Sequence, residues 1–163
     1  MKRRRWHADT LATSVDAIDV PELLASGIGG AIIDLDNTLV GYRSLEPTQE
    51  AAGWVKAASD AGLKIVLVTN NTTPWALTVA KNLGIPCIPN ARKPLPTGFK
   101  RALELLELSR DRVVVIGDQF FTDVLGAKLF GLPVILVPPL GGRDPWNTRP
   151  LRWIARALRV EHR

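Results

Sequence analysis

Ile32-Ile33-Asp34-Leu35-Asp36-Asn37-Thr38-Leu39-Val40 is the stretch on which the fold turns. It begins as an apolar run suited to a strand covered on both faces, then changes to acids, an amide and a hydroxyl where that strand should end. Other segments repeat this pattern. An apolar run at 64–68 leads into Thr69-Asn70-Asn71, and one at 112–116 leads into Gly117-Asp118-Gln119-Phe120-Phe121-Thr122-Asp123. With a weak strand at 86–88 and another at 134–137, five strands (the first at 31–35) alternate with helical patterns at 48–61, 74–83, 97–108 and 122–130. A last helix is expected at 150–160. Strands alternating with helices predict an α/β fold with a doubly wound, mostly parallel, five-stranded Rossmann-like sheet. Pro47 and Pro74 suit first-turn positions of helices, and Gly62, Gly84 and Gly131 sit where helices should stop. The front segment has no clear period, although Val20-Pro21-Glu22-Leu23-Leu24 could start a short helix against the sheet.

The chain has 163 residues, 46% of them hydrophobic and 23% charged, which excludes disordered, collagenous and disulfide-scaffold classes. One domain spanning 1–163 is expected. The longest apolar stretch, 132–140, carries three prolines and is far shorter than a membrane span. Residues 1–10 are basic but lead into no apolar core, so no secretory signal is expected. The single Cys87 allows no internal disulfide, and the expected location is the cytoplasm.

Charge is concentrated at the two ends. Lys2, Arg3, Arg4 and Arg5 against Asp9 leave +3 in residues 1–10. Six arginines against Asp144 and Glu161 leave +4 beyond residue 140, so a total of +5 puts −2 on the body between. The 150–160 pattern places Leu151, Ile154, Ala155 and Leu158 on one face and Arg152, Arg156 and Arg159 in a basic stripe, continued by Arg163. This helix either packs on the sheet or lies on an anionic membrane, with Trp146, Trp153 and Trp6 at the interface; nucleic acid and a merely solvated fringe are the other readings.

Ligands of open parallel sheets collect at the carboxyl ends of the strands. There this chain places Asp34, Asp36, Asp118, Asp123, Thr69 and, ahead of the third long helix, Lys93-Pro94. Several carboxylates at one site raise one another's pKa until something neutralises them. A cation does so, and hard oxygen donors without His or Cys point to magnesium, which commonly shares its shell with a phosphate. Lysine and a threonine hydroxyl beside it suit phosphoryl oxygens, and a carboxylate next to phosphorus can act as nucleophile.

Asp34-Leu35-Asp36-Asn37-Thr38, Thr69-Asn70, Lys93-Pro94 and Gly117-Asp118 with Asp123 resemble, in order, the four motifs of the haloacid dehalogenase (HAD) superfamily. The run Gly27-Ile28-Gly29-Gly30 before the first motif, and Thr122-Asp123-Val124-Leu125-Gly126 in the last, are similar to the YqeG-like phosphatases of subclass IIIA. That class is related to a mitochondrial phosphatidylglycerophosphate phosphatase. The resemblance implies a Mg2+-dependent phosphomonoester hydrolase working through an aspartyl-phosphate, with phosphatidylglycerophosphate as the first substrate to consider. It implies Asp34 as nucleophile and metal ligand. Asp36 would be general acid and then base, ligating metal through its carbonyl. Thr69, Asn70 and Lys93 would bind phosphate, and Asp118 and Asp123 would bind metal, the latter directly or through water.

Competing readings of the same residues fail on spacing. An EF-hand starting at Asp34 would need Glu where Leu45 stands. The glycines at 27, 29 and 30 precede the first strand, whereas a dinucleotide fingerprint follows it. A signalling receiver domain needs an acid between the first-strand acids and the threonine, and here the next strand-end acid, Asp118, follows both Thr69 and Lys93. The superfamily's cap insertions have no room: only a flap around Gly41-Tyr42-Arg43 and one helix separate the first two motifs, and one helix and a short strand separate the second from the third. A capless site is expected, open to bulky or surface-bound substrates. Two alternatives remain: a nucleotide or nucleic-acid end phosphatase, and a non-catalytic nucleic-acid or protein-binding module on the same fold. A peripheral position at the inner membrane face would accompany the lipid reading.

Overall fold

A computed structural model of the chain describes residues 9–41 and 44–141. The expected helix at 150–160, the basic residues 2–5, Trp6, Trp146, Trp153 and the flap residues Tyr42 and Arg43 lie outside the described residues.

In chain order the elements are β1 (Thr10–Leu11), α1 (Val20–Ala25), β2 (Gly30–Ile33), α2 (Gln49–Asp60), β3 (Lys64–Val68), α3 (Pro74–Leu83) and β4 (Cys87–Ile88). They continue with α4 (Pro96–Leu106), β5 (Val113–Gly117), a π-helical turn (Phe120–Leu125), α5 (Gly126–Phe130) and β6 (Val134–Leu136). All strand pairs are parallel, in the order β1-β6-β5-β2-β3-β4. The chain winds outward from β2 through β3 and β4 on one side, and through β5 and β6 on the other. The topological switch therefore lies between β2 and β5.

The doubly wound arrangement follows from the strand sequences. Ala31, Ile33, Ile65, Leu67, Val114 and Ile116 point to one face and pack with Trp54, Val55 and Ala58 of α2 and Val79 and Ala80 of α3. Their neighbours Ile32, Val66, Val68, Val113 and Val115 point to the other, against Phe99, Ala102 and Leu106 of α4 and Ala127 of α5. With helices on both faces, residues pointing either way meet apolar cover, which is why these strands are continuous apolar runs.

The sheet has six strands, and the expectation of five is corrected by β1. Two exposed residues offer no periodicity to read; the strand exists because its neighbours hold it. Asp9 Oδ2 accepts from the Val134 amide at 2.8 Å and pairs with Lys128, and Ala12 N donates to Leu136 O at 3.0 Å. The short front helix forms as α1, its Asp19 carboxylate accepting from Glu22 N at 2.9 Å in an N-cap. The expected helix at 122–130 is also corrected, being a π-helical turn followed by only five α-helical residues. Helix α4 runs one residue earlier and ends two earlier than expected, capped by Glu107 at φ 55°. Pro47 is not in a first turn: Thr48 is the N-cap of α2, its hydroxyl accepting from Ala51 N at 3.1 Å. Pro74 does open α3, and Gly84 and Gly131 close α3 and α5 in the left-handed region. No helix among the described residues is long and apolar enough to cross a membrane.

Candidate active site

The apolar strands end abruptly in polar residues, so the carboxyl edge of the sheet collects buried polar side chains. Asp34, Thr38, Thr69, Lys93, Asp118 and Asp123 are all buried, each at most 7% exposed. Asp34 leaves β2 at the switch point, its amide still donating to Ile116 O of β5 at 3.0 Å. Beyond it the Leu35 carbonyl accepts from the amides of Thr38, Leu39 and Val40, turning the chain sharply. That turn returns Thr38 toward β5, where its hydroxyl donates to Asp118 Oδ1 at 3.1 Å.

Lys93 is the centre of the cluster. Its ammonium donates to Asp34 Oδ1 and to Asp123 Oδ1, both at 2.7 Å. Burial works against this cation, but the two carboxylates outweigh it and hold the pKa above the ordinary lysine value. Asn70 fixes the backbone beneath: Asn70 Oδ1 accepts from Lys93 N at 2.7 Å and Asn70 Nδ2 donates to Lys93 O at 3.0 Å. The Asn70 carboxamide thus ties the loop after β3 to the loop that carries Lys93.

Asp123 reaches the cluster through the π-helical turn. Its other oxygen accepts from Gln119 N at 3.1 Å. The approach is possible because residue 117 is glycine: a Cβ there would lie 2.3 Å from Asp123 Oδ2. One carboxylate oxygen from each of Asp34, Asp118 and Asp123 lies within 4.8 Å of the others. Burial, then Asp34 and Asp123, pushes the Asp118 carboxyl up to about 7, and burial, then Asp34, pushes Asp123 up to about 6.

Three buried carboxylates against one ammonium leave the cluster short of positive charge. The donor set is all oxygen, with no sulfur or imidazole in it, so it fits a hard divalent cation held by Asp34, Asp118 and Asp123. Asp36 stands apart from this group, partly exposed, with Thr69 Oγ1 donating to its Oδ2 at 3.4 Å. Thr69 Oγ1 also accepts from Asn71 N at 3.0 Å.

All seven residues singled out in the sequence, Asp34, Asp36, Thr69, Asn70, Lys93, Asp118 and Asp123, therefore come to one edge of the sheet. Two neighbours were not singled out. Thr38 lies within the first motif, but its role as donor to Asp118 needs a contact across 80 positions of chain. Gly117 shows only as a residue before an acid, and its reason is a close approach made by the folded turn.

The family model for haloacid dehalogenase-like hydrolases matches residues 3–131. The chain is 35% identical over 158 residues to the "Probable phosphatase YqeG" of Bacillus subtilis (strain 168), covering 97% of this chain and 92% of that protein. Among solved structures, an uncharacterized protein from Listeria monocytogenes serotype 4b superimposes with a TM-score of 0.58 at 22% identity, over 82% of this chain and 98% of that one. The cobalt-bound deoxy-D-mannose-octulosonate 8-phosphate phosphatase from Haemophilus influenzae shares the fold, with a TM-score of 0.51 at 16% identity over 57% of this chain and 60% of its own. A family match across most of the chain, on a sheet whose switch point carries these four ordered motifs, makes the protein a member of the haloacid dehalogenase-like hydrolases.

Proposed function

We propose that this hydrolase is a Mg2+-dependent phosphomonoester phosphatase that works through a covalent phosphate on Asp34. The observation that carries the reading is the division of the acids: Asp34 sits with Asp118, Asp123 and Lys93, while Asp36 stands outside that cluster beside Thr69. This division supports a reading in which Asp34 meets phosphorus and Asp36 meets the leaving group. The relative named as a phosphatase supports the same chemistry.

Bound between Asp34, Asp118 and Asp123, magnesium would lower the repulsion between a phosphate dianion and the carboxylates. Asp34 forms a bond to phosphorus as the bond to the ester oxygen breaks. Lys93 and Thr69, with the backbone N–H of Asn70, hold the phosphoryl oxygens and offset the charge that develops on them. Asp36, in its acid form, gives its proton to the departing alcohol. As carboxylate it then takes a proton from the water that attacks the same phosphorus, releasing phosphate and restoring Asp34.

For the substrate, a lipid phosphate such as phosphatidylglycerophosphate is supported by the resemblance to YqeG-like phosphatases and by exposed apolar side chains on the segments that follow the strands. Leu45, Leu95 and Phe121 are 74%, 56% and 52% exposed at that end of the sheet. The test is phosphate release, with and without magnesium, from phosphatidylglycerophosphate in anionic vesicles, small phosphomonoesters and 5′- and 3′-phosphorylated oligonucleotides. Release that needs magnesium and disappears in Asp34→Asn supports the mechanism. Preference for the vesicle substrate supports a lipid, and preference for the oligonucleotides moves the substrate to nucleic-acid ends. No release from any of them, with tight binding of a macromolecule, would make the protein a binding module.

A further inference from the structure

Large apolar side chains stand exposed at the carboxyl edge of the sheet on four separate segments. Leu11 ends β1 and is level with Gly117, since both pair with Leu136. Leu45 lies in the segment after β2, its carbonyl accepting from Trp75 Nε1 in the first turn of α3 at 2.7 Å. Leu95 comes two residues after Lys93, and Phe121 two before Asp123. Each of the four is more than half exposed. Their segments belong to β1 and β5 on one side of the switch point and to β2 and β4 on the other, along an edge about 24 Å wide at the usual strand spacing. A protein partner is matched by one contiguous apolar patch, whereas a fluid bilayer takes up separate side chains one at a time.

Charge selects the kind of bilayer. Arg92, exposed and in no ion pair among the described residues, lies three positions before Leu95. The chain also leaves its described part at this edge, Leu140 N donating to Asn37 O at 2.8 Å, and the sequence beyond residue 140 carries +4. Against these stand the exposed Glu46 and Glu50, ahead of and within the first turn of α2. The balance is positive and favours anionic headgroups. We propose that the carboxyl edge is a docking face for an anionic bilayer, with Leu11, Leu45, Leu95 and Phe121 entering the interface around the acid cluster. The site then meets phosphate at headgroup level, without a lipid having to leave the membrane. The proposal names a partner surface for the site and rests on the phosphatase reading above for what happens once the protein is docked.

The opposite end of the molecule supplies the control. Leu105 and Leu129 are also exposed, but they lie toward the amino edge, where the Leu106 carbonyl accepts from Lys64 at the start of β3 and Arg110, just ahead of β5, covers the Phe130 ring. Co-sedimentation of the full-length protein with vesicles of phosphatidylglycerol and phosphatidylcholine, and with phosphatidylcholine alone, measures docking without any turnover. Binding should favour the anionic vesicles. The double variant Leu95→Ser/Phe121→Ser should bind them about tenfold or more weakly, as expected for two apolar side chains lost from an interface. Leu45→Ser, on a different segment, should weaken binding independently, and Leu105→Ser/Leu129→Ser should bind as the wild type does. No binding, or equal losses in the two double variants, overturns the docking face. Binding that high salt abolishes and that none of these changes weakens belongs to the basic ends alone and overturns it too. Self-association that Leu95→Ser/Phe121→Ser disrupts, without vesicle binding, would make the edge a contact between copies of this chain. Phosphate release from a small soluble monoester, measured in parallel, keeps the two readings apart: its absence overturns the phosphatase reading and leaves docking standing.

Discussion

Lys93 Nζ lies 2.7 Å from Asp34 Oδ1, and both side chains are buried, 3% and 8% exposed. The loop before α4 thus delivers a cation onto a carboxylate from β2, 59 positions earlier in the chain. The same ammonium holds Asp123, so one residue opposes the repulsion of two acids and orients both.

Removing that cation should be costly twice. Lys93→Met leaves buried carboxylates unopposed, and the metal-free protein is expected to lose about 3–5 kcal/mol of stability. Phosphate release should fall about 10²- to 10³-fold with the loss of a donor to the phosphoryl group. Lys93→Arg should not restore it, since a forked guanidinium cannot replace a point charge between two oxygens in a closed site. Chemical denaturation and steady-state phosphate release measure the two effects; a variant as stable and active as the wild type would remove Lys93 from the site.

Thr38→Val keeps shape and removes the hydroxyl that donates to Asp118. The change should destabilise the fold by about 1–2 kcal/mol. It should also weaken Mg2+ binding about tenfold, because an unsupported ligand is less well oriented. Titration calorimetry with Mg2+ reads the second effect, and unchanged affinity would confine Thr38 to a structural role.

Gly117→Ala tests the close approach of Asp123. The added methyl would lie 2.3 Å from Asp123 Oδ2, well inside van der Waals contact, so that acid must move. Expected are at least about tenfold weaker metal binding and a matching loss of activity, with most of the sheet retained by far-ultraviolet circular dichroism. Metal binding equal to wild type would mean that Asp123 is not needed in its observed position.

The acid cluster predicts an unusual pH dependence. Asp118 and Asp123 are raised on folding from 3.8 to about 7 and about 6, so the folded chain binds more protons than the unfolded one in that window. Stability of the metal-free protein therefore falls as pH rises through it, and acidification from pH 8 to 5.5 should raise Tm by about 5 °C. Saturating Mg2+ should raise Tm at pH 8 and shrink the gain on acidification, since metal and protons compete for the same oxygens. Thermal melts with EDTA and with Mg2+ decide it; a metal-free Tm that rises with pH would contradict the cluster's electrostatics.

Much of this site was legible because its chemistry sits at points of strong local contrast. Asp34, Thr69 and Asp118 each follow an apolar run that can only be a doubly covered strand, so their convergence on one edge follows from parallel topology. Asn70 is different: in the sequence it reads as a phosphate ligand, whereas its side chain is spent on the Lys93 backbone. Strand β1 was illegible for a related reason, being specified by Asp9, Lys128 and the edge of β6 rather than by its own two residues.

The sequence by itself determined the α/β class, the helices that cover both faces and the order in which acids, hydroxyl and lysine reach the sheet edge. Apolar periodicity and polar breaks are local properties, readable without knowing what they pack against. Only the tertiary structure decided that Asp34 and Asp123 close on one ammonium beside Asp118 while Asp36 is left outside, that Thr38 supports Asp118 and that Gly117 makes room for Asp123. Each of these is a distance between residues on separate elements, set by how strands and helices pack, and no local pattern encodes it.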